Sequence, residues 1–223
     1  MIVIGAGIIS SAITYNLSMD GADVLLLDGK RMAGAGVTGR AFGWINVING
    51  TPGDRSYALW QQATAGYRKL IATFPSTFAS VRRGSLLWKE TPQDTERFAE
   101  LHQRAGERVE LLKHDALRVL EPNLRQVPDL APFAPDDLAL DPQKLAQDLV
   151  AAASDARGKV RFGVTVTAIE TENGRVSGVW VGDKKVEADI VVLSAGTGIH
   201  PLTNALGIET GIKTSPVLVS AQN

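Results

Sequence analysis

The stretch that decides the fold is Met1-Ile2-Val3-Ile4-Gly5-Ala6-Gly7-Ile8-Ile9-Ser10, followed by a helix-like segment to Met19, then Gly21, then Val24-Leu25-Leu26-Leu27-Asp28. Its order is strand, glycine turn, helix, strand, acid. This is the order of a βαβ crossover built to hold a dinucleotide. Gly5 lets the chain turn off the strand, and Gly7 puts no Cβ between backbone and phosphate. The helix that follows turns free N–H groups and its positive dipole end toward an anion. Ser10 stands at the third glycine position, a departure that still leaves a small residue for close packing. Asp28, 23 residues after Gly5, closes the second strand, where a carboxylate accepts hydrogen bonds from ribose hydroxyls and disfavours a 2′-phosphate.

Working outward, helices are expected over 8–19, 54–74, 91–105, 115–120 and 141–156, and strands over 84–89, 109–112, 160–162, 164–172, 176–181, 185–186 and 189–193. Leu59, Ala63, Tyr67, Leu70 and Ile71 are expected on the buried face of the second helix, and Leu145, Leu149 and Ala152 on that of the last. Asn173-Gly174 and Gly182-Asp183 mark hairpin turns. Residues 31–49 are glycine-rich and read as a long functional loop with one helical turn. Pro122, Pro128, Pro132, Pro135 and Pro142 crowd residues 121–142, which predicts no long element there and a domain crossing instead. The strand 189–193 is expected to be fully buried, and it opens into the small residues Ser194 to Gly198.

With 223 residues, 44% of them hydrophobic, the chain is long enough for a proper core in one or two domains. The net charge of −1 offers no basic surplus for nucleic acid or an anionic membrane. Cysteine is absent, which removes disulfides, thiol catalysis and cysteine-linked cofactors. No basic n-region precedes the first strand and no apolar run is long enough to span a bilayer, so a cytoplasmic location is expected. His102, His114 and His200 are scattered, with no pair at metal-ligand spacing, so no metal site is expected.

Taken with Thr38-Gly39-Arg40-Ala41-Phe42-Gly43-Trp44, the helix opening Asp141-Pro142, Val164–Ile169 and Ala188–Gly196, the pattern resembles the FAD-dependent amino-acid oxidase superfamily, the D-amino-acid and glycine oxidase-like flavoenzymes. The resemblance implies an α/β fold: a Rossmann-like FAD-binding domain of parallel sheet plus antiparallel β-meander, with an inserted α+β substrate domain, incomplete. The expected division is 1–75 and 138–205 for the FAD-binding domain, 76–137 for the first part of the substrate domain, and 206–223 for a return to it. Gly5, Gly7 and Ser10 would line the pyrophosphate turn. Asp28 would hold the adenosine ribose, with Gly29 and Lys30 nearby. Thr38, Gly39 and Arg40 would contact phosphate or ribityl oxygens. Gly43 and Trp44 would lie toward the flavin ring, Val166 would offer backbone to the adenine, and Ala195 and Gly196 would close over the pyrophosphate. No catalytic residue is assigned.

The implied chemistry is hydride transfer from an amino acid or secondary amine to non-covalent FAD, giving an imine, with no nucleic-acid partner. Two departures stand against the pattern. Gly39 occupies a position where a serine is common, and the chain ends where such enzymes continue. It is therefore expected to be a fragment or one half of a split enzyme, completed by a second chain or a missing C-terminal half. Two alternatives remain: an NAD-dependent Rossmann dehydrogenase, and a non-catalytic FAD-binding subunit or truncated fragment. Individual residues carry alternatives too. Arg40 suits a phosphate or a neighbouring carboxylate equally, and Trp44 suits the flavin or the core. Trp60, Trp88 and Trp180 read as packing residues, and Arg82-Arg83 as a solvated pair.

Overall fold

The structure, a computed structural model, describes residues 1–215. The expected return over 206–223 falls partly outside the described residues. The chain divides into two compact units, one of Met1–Phe42 with the chain from Asp141 onward, the other Gly43–Leu140. By compactness the chain divides at 42/43, whereas the sequence reading places a boundary at 75. The helix over 55–73 belongs to the inserted unit, because its one fully buried side chain, Tyr57, is tied there.

In the first unit, β1 (Ile2–Ile4), α1 (Ile8–Met19) and β2 (Leu25–Asp28) form the expected crossover. A short 3-10 turn, Val37–Arg40, is the single helical turn in the glycine-rich loop. After the insertion come α5 (Pro142–Asp155), β7 (Lys159–Phe162), β8 (Val166–Glu172), β9 (Arg175–Val181), β10 (Lys184–Glu187), β11 (Val191–Leu193) and α6 (Ile199–Asn204). The parallel sheet runs β11-β1-β2-β7, with Val3 level with Val192 and Leu26, and Leu26 level with Val160. The meander runs β10-β9-β8. Its first turn places Asn173 and Gly174 both at positive φ, 52° and 75°, as a two-residue hairpin with right-handed strand twist requires.

The sheet is apolar on both faces, as a covered parallel sheet must be. Val3, Val24 and Leu26 pack with Ala146 and Val150 of α5, while Ile2, Ile4 and Leu27 pack with Val179 of the meander and Leu202 of α6. Each such side chain contributes about 1.5–3 kcal/mol by leaving water. Asp141 opens α5 by accepting from the N–H groups of Gln143 (2.9 Å) and Lys144 (3.1 Å), and Pro142 at the first helical position loses no bond by lacking a donor. Ala153, not Ala152, continues the buried stripe of Leu145 and Leu149. Strand β11 is shorter than expected and only half-buried, because it is the edge of the sheet.

The inserted unit contains β3 (Trp44–Ile45), α2 (Arg55–Thr73), β4 (Arg82–Leu86), α3 (Pro92–Arg104), β5 (Glu110–Lys113), α4 (His114–Leu120) and β6 (Leu130–Ala139). The prolines of 121–142 do not prevent a long element, contrary to expectation. β6 is ten residues long and central: β4 pairs along it, and β3 and β5 both pair with it as well, all antiparallel. Two devices accommodate its prolines. Pro132 contributes a carbonyl, which accepts from the Leu87 N–H (3.1 Å). Pro135 falls in a bulge, where the register jumps from Arg83–Leu138 to Ser85–Ala134 and no ladder donor is demanded.

Two polar clusters are buried in this unit. Tyr57 of α2 meets His102 of α3, hydroxyl to Nδ1 at 3.0 Å. That pairing selects the buried side of α2 and leaves Leu59, expected inside, 64% exposed. Asp137 of β6, also buried, accepts from Ser85 Oγ (2.6 Å) and Trp44 Nε1 (3.1 Å). Burial lowers the His102 pKa, with Lys89 acting in the same direction and Glu107 against it. Burial raises that of Asp137 against its two hydrogen bonds, and lifts the Tyr57 hydroxyl to about 12.

The sign for His102 follows from its lowered folded pKa. As pH falls through about 6.5, the unfolded chain takes up the proton first, so stability is lost on the acid side. Asp137 has the opposite sense: its raised folded pKa removes stability as pH rises. Urea midpoints measured from pH 7 to pH 5 are expected to fall more steeply in the wild type than in His102→Gln. Comparing the two proteins at each pH cancels the Asp137 contribution, and equal slopes would contradict the assignment.

Candidate functional site: the glycine turn and its surroundings

The carboxyl ends of β1, β2 and β11 meet at Gly5. Its φ is +105°, and a Cβ there would sit 2.5 Å from the Ser194 carbonyl oxygen at the end of β11. Glycine is demanded by both conformation and space. The Gly5 N–H donates to the Leu27 carbonyl (2.8 Å), and the Ser194 N–H to the Ile4 carbonyl (3.0 Å), so three strand ends are laced together.

Gly7 is the N-cap of α1, and no side chain of its own caps the helix. The first amides of a helix have no preceding turn to bond to. One of them is met from a distance: the Ile8 N–H donates to Thr38 Oγ1 (3.0 Å). Having accepted that bond, the Thr38 hydroxyl still carries a hydrogen to donate. The amides of Ile9 and Ser10 come next on the same end, beside an Ile9 side chain that is 67% exposed. Ser10 itself is fully buried and its hydroxyl donates to the Ser194 carbonyl (2.8 Å). Its side chain therefore tightens helix against strand, and only its backbone is left for the turn.

Asp28 uses both carboxylate oxygens on backbone. Oδ2 accepts from the Ala6 N–H inside the glycine turn (2.6 Å), and Oδ1 from the Lys30 N–H (2.6 Å). Each oxygen keeps a lone pair for a further donor. Gly29 lies against Thr165, and the Lys30 carbonyl accepts from Gly163 (2.8 Å), which leads the chain into β8 and Val166. Gly39 has a packing reason: a Cβ would stand 2.6 Å from the Gly34 carbonyl oxygen, so a serine has no room. Arg40 is exposed and pairs with no carboxylate among the described residues. Ala195 and Gly196 follow Ser194, with Gly196 at φ +55°.

The structure thus gathers Gly5, Gly7, Ser10, Asp28, Gly29, Lys30, Thr38, Gly39, Arg40, Val166, Ala195 and Gly196 in one compact unit. Gly43 and Trp44 open the other unit, where the Trp44 indole is engaged by Asp137. Two contributors escape sequence reasoning. Ser194 accepts from Ser10 and crowds Gly5, and Gln143 packs beneath Gly34 and Gly39. The break from apolar run to small residues at 194 is the one signal that points to the first; nothing local points to the second. Among the described residues no cluster of His, Asp or Glu could hold a metal ion, and no helix is long and apolar enough to cross a membrane.

A family model described as FAD dependent oxidoreductase, DAO, matches residues 1–221. The chain belongs to the DAO family of FAD-dependent oxidoreductases. It is 25% identical over 225 residues to a glycine oxidase from Pseudomonas putida, covering 96% of this chain and 59% of that protein. Among solved structures it resembles glycine oxidase from Bacillus cereus, with a TM-score of 0.80 at 21% identity, covering 92% of this chain and 57% of that one. It also resembles L-amino acid deaminase from Proteus myxofaciens, with a TM-score of 0.82 at 21% identity, covering 93% and 48%. The chain therefore spans about half the length of the relatives it matches. The family decides for FAD over the nicotinamide alternative.

The donor set suits that cofactor. A diphosphate would need hydrogen-bond donors and positive potential, which the α1 amide end, the Thr38 hydroxyl and the exposed Arg40 could offer. A ribose needs acceptors, and finds Asp28. The empty space at Gly5 is already taken by Ser194, so its role is to shape the turn. Gly5→Ala is accordingly expected to destabilise the unit by more than about 1 kcal/mol, read as a lower melting temperature without added ligand. Thr38→Val, isosteric but without the hydroxyl, is expected to cost less stability than Gly5→Ala and to show its larger effect on cofactor affinity.

Proposed function

We propose that this chain carries the FAD site of an enzyme that oxidises an amino acid or secondary amine at its CH–NH or CH–NH2 bond. The observation that carries the reading is the position of Asp28. Its carboxylate is held by two backbone amides between the glycine turn and the end of β2, so it is fixed before any ligand arrives. The glycine oxidase and deaminase relatives support an amine substrate.

Bound FAD supplies the acceptor, N5, for a hydride leaving the substrate α-carbon, giving an imine that water hydrolyses. The chain's own residues bind and orient. Asp28 accepts from the adenosine ribose hydroxyls, and its negative charge repels a 2′-phosphate. Gly29 and Lys30 shape the chain beside it. The α1 end, Thr38 and Arg40 offset the diphosphate charge, and Gly39 lets the loop lie close to them. The Val166 backbone would be offered to the adenine, and Ala195 and Gly196 would close over the diphosphate. Attachment is non-covalent in this reading: the chain has no cysteine, and none of its three histidines lies in the glycine turn or the loop at 31–49. Residues 1–42 and 141–205 form the FAD-binding domain and 43–140 begin the substrate domain of a cytoplasmic protein. A second polypeptide or further chain length completes the substrate site.

A second reading, a FAD-binding subunit without turnover of its own, is favoured by one observation: the chain covers 59% of its glycine oxidase relative. Purified chain incubated with FAD and freed of excess is expected to retain the visible flavin spectrum. Retention with amine-dependent bleaching supports the enzyme, retention without it supports the subunit, and loss of flavin overturns both. Asp28→Ala is expected to weaken FAD binding roughly ten- to hundredfold, the worth of hydrogen bonds to a charged group. Asp28→Asn should lie between the two proteins. Equilibrium dialysis checks both variants, with circular dichroism confirming that they fold.

A further inference from the structure

The thioether of Met32, at the entrance to the glycine-rich loop, is met by two side-chain amides from α5. Gln143 Nε2 and Gln147 Nε2 each donate to Met32 Sδ at 3.7 Å. The two glutamines stand four residues apart, so successive turns of one helix aim both at the same atom. The reverse setting of either amide would put its oxygen against the sulfur, acceptor against acceptor.

This contact sits where the loop is fastened down. The next residue, Ala33, is buried with Ala146 and Val150 of α5, and the Gly34 N–H donates to the Ala6 carbonyl at 2.8 Å. Gln143 also fills the space beneath two glycines. A Cβ on Gly34 would lie 2.9 Å from Gln143 Cα, and one on Gly39 would lie 3.2 Å from its amide carbon Cδ. The same loop carries Thr38, which meets the first amide of α1. Sulfur, both glutamines, the loop and α1 all belong to one compact unit.

Two good donors are thus matched to a weak acceptor, since a thioether draws a hydrogen bond poorly. A sulfoxide reverses that mismatch. Its oxygen is polar and has lone pairs enough for both amides. Bonded to the sulfur on the side that faces α5, it falls within hydrogen-bonding reach of both nitrogens. Oxidation of a methionine ordinarily disrupts its surroundings, because a polar oxygen is forced among apolar groups. At Met32 the donors are in place beforehand.

We propose that Met32 is an oxidative modification site whose sulfoxide is captured by Gln143 and Gln147, fastening the loop more firmly to α5. The oxidant is hydrogen peroxide, a reagent small enough for a side chain that is 47% exposed. A sulfur lone pair attacks one peroxide oxygen, and the S–O bond forms as the O–O bond breaks. The departing hydroxide takes the proton from the transferred hydroxyl and leaves as water. Sulfur is oxidised and the peroxide reduced by the same electron pair. The inference does not depend on the flavin reading, because every group in it belongs to the chain itself.

The test treats the full chain with dilute hydrogen peroxide and locates sulfoxide by peptide mass spectrometry. Met32 and Met19, the latter 58% exposed at the end of α1, are both expected to convert. Hydrogen exchange at the amides of residues 33–39 is expected to slow about two- to tenfold on oxidation, the worth of a hydrogen bond gained. Methionine sulfoxide reductases should restore the original rate, and Met32→Leu should show no slowing. Gln143→Glu and Gln147→Glu, close in shape, put an acceptor where a donor stands. Peroxide treatment should therefore lower their melting temperatures relative to its effect on the wild type. Three results overturn the proposal: Met32 staying reduced while Met19 converts, exchange that does not slow in the oxidised wild type, or equal shifts of melting temperature in the wild type and both glutamate variants.

Discussion

The carboxyl ends of β1, β2 and β11 converge on a point that only a residue without a side chain can occupy. The Ser194 carbonyl stands where a Gly5 Cβ would be, and the backbone there is left-handed. From this crowding the rest of the nucleotide-binding unit follows. The strands close enough to exchange the Gly5–Leu27 and Ser194–Ile4 hydrogen bonds, α1 leaves at the angle the turn allows, and Ser10 locks it by donating to the same Ser194 carbonyl. A methyl group at position 5 would have to part three strands.

The site is assembled mainly from backbone. Apart from Thr38 and Arg40, what meets the diphosphate in the proposed reading is amide, glycine and Ala195. That suits a role of binding and orientation, because amides fixed by a helix and a strand need not reorganise when an anion arrives. It also explains why one carboxylate matters so much. Asp28 braces the turn through Ala6 and the following loop through Lys30, and its remaining lone pairs define where hydroxyl donors go. In the proposed reading, structural bracing and ligand recognition are carried by one side chain.

The inserted unit is organised differently. Its centre is β6, a strand that carries two prolines and tolerates them through a bulge and through a carbonyl that still accepts. Buried polar pairs, Tyr57 with His102 and Asp137 with Ser85 and Trp44, fix how its helices and strands meet. Each must be matched internally, since an unpaired buried polar group costs about 1–3 kcal/mol. Composition and periodicity do not reveal such pairings, which is why Leu59 was expected inside and is not.

The sequence by itself determined the local events. The Gly-x-Gly turn between two apolar runs, the acid that closes β2, the cap at Asp141, and the Asn173-Gly174 hairpin are decided by neighbours a few residues apart. Such features are legible because the chain needs no distant partner to adopt them. Tertiary structure alone decided what joins them. Thr38 caps a helix thirty positions earlier, Ser10 reaches Ser194 across 184 positions, and β6 becomes central only when β3, β4 and β5 fold onto it. The division into compact units at 42/43 belongs to this second kind. Spacing in sequence does not encode distance in space once the chain has turned, and a contact between remote residues exists only when the packing that brings them together is complete.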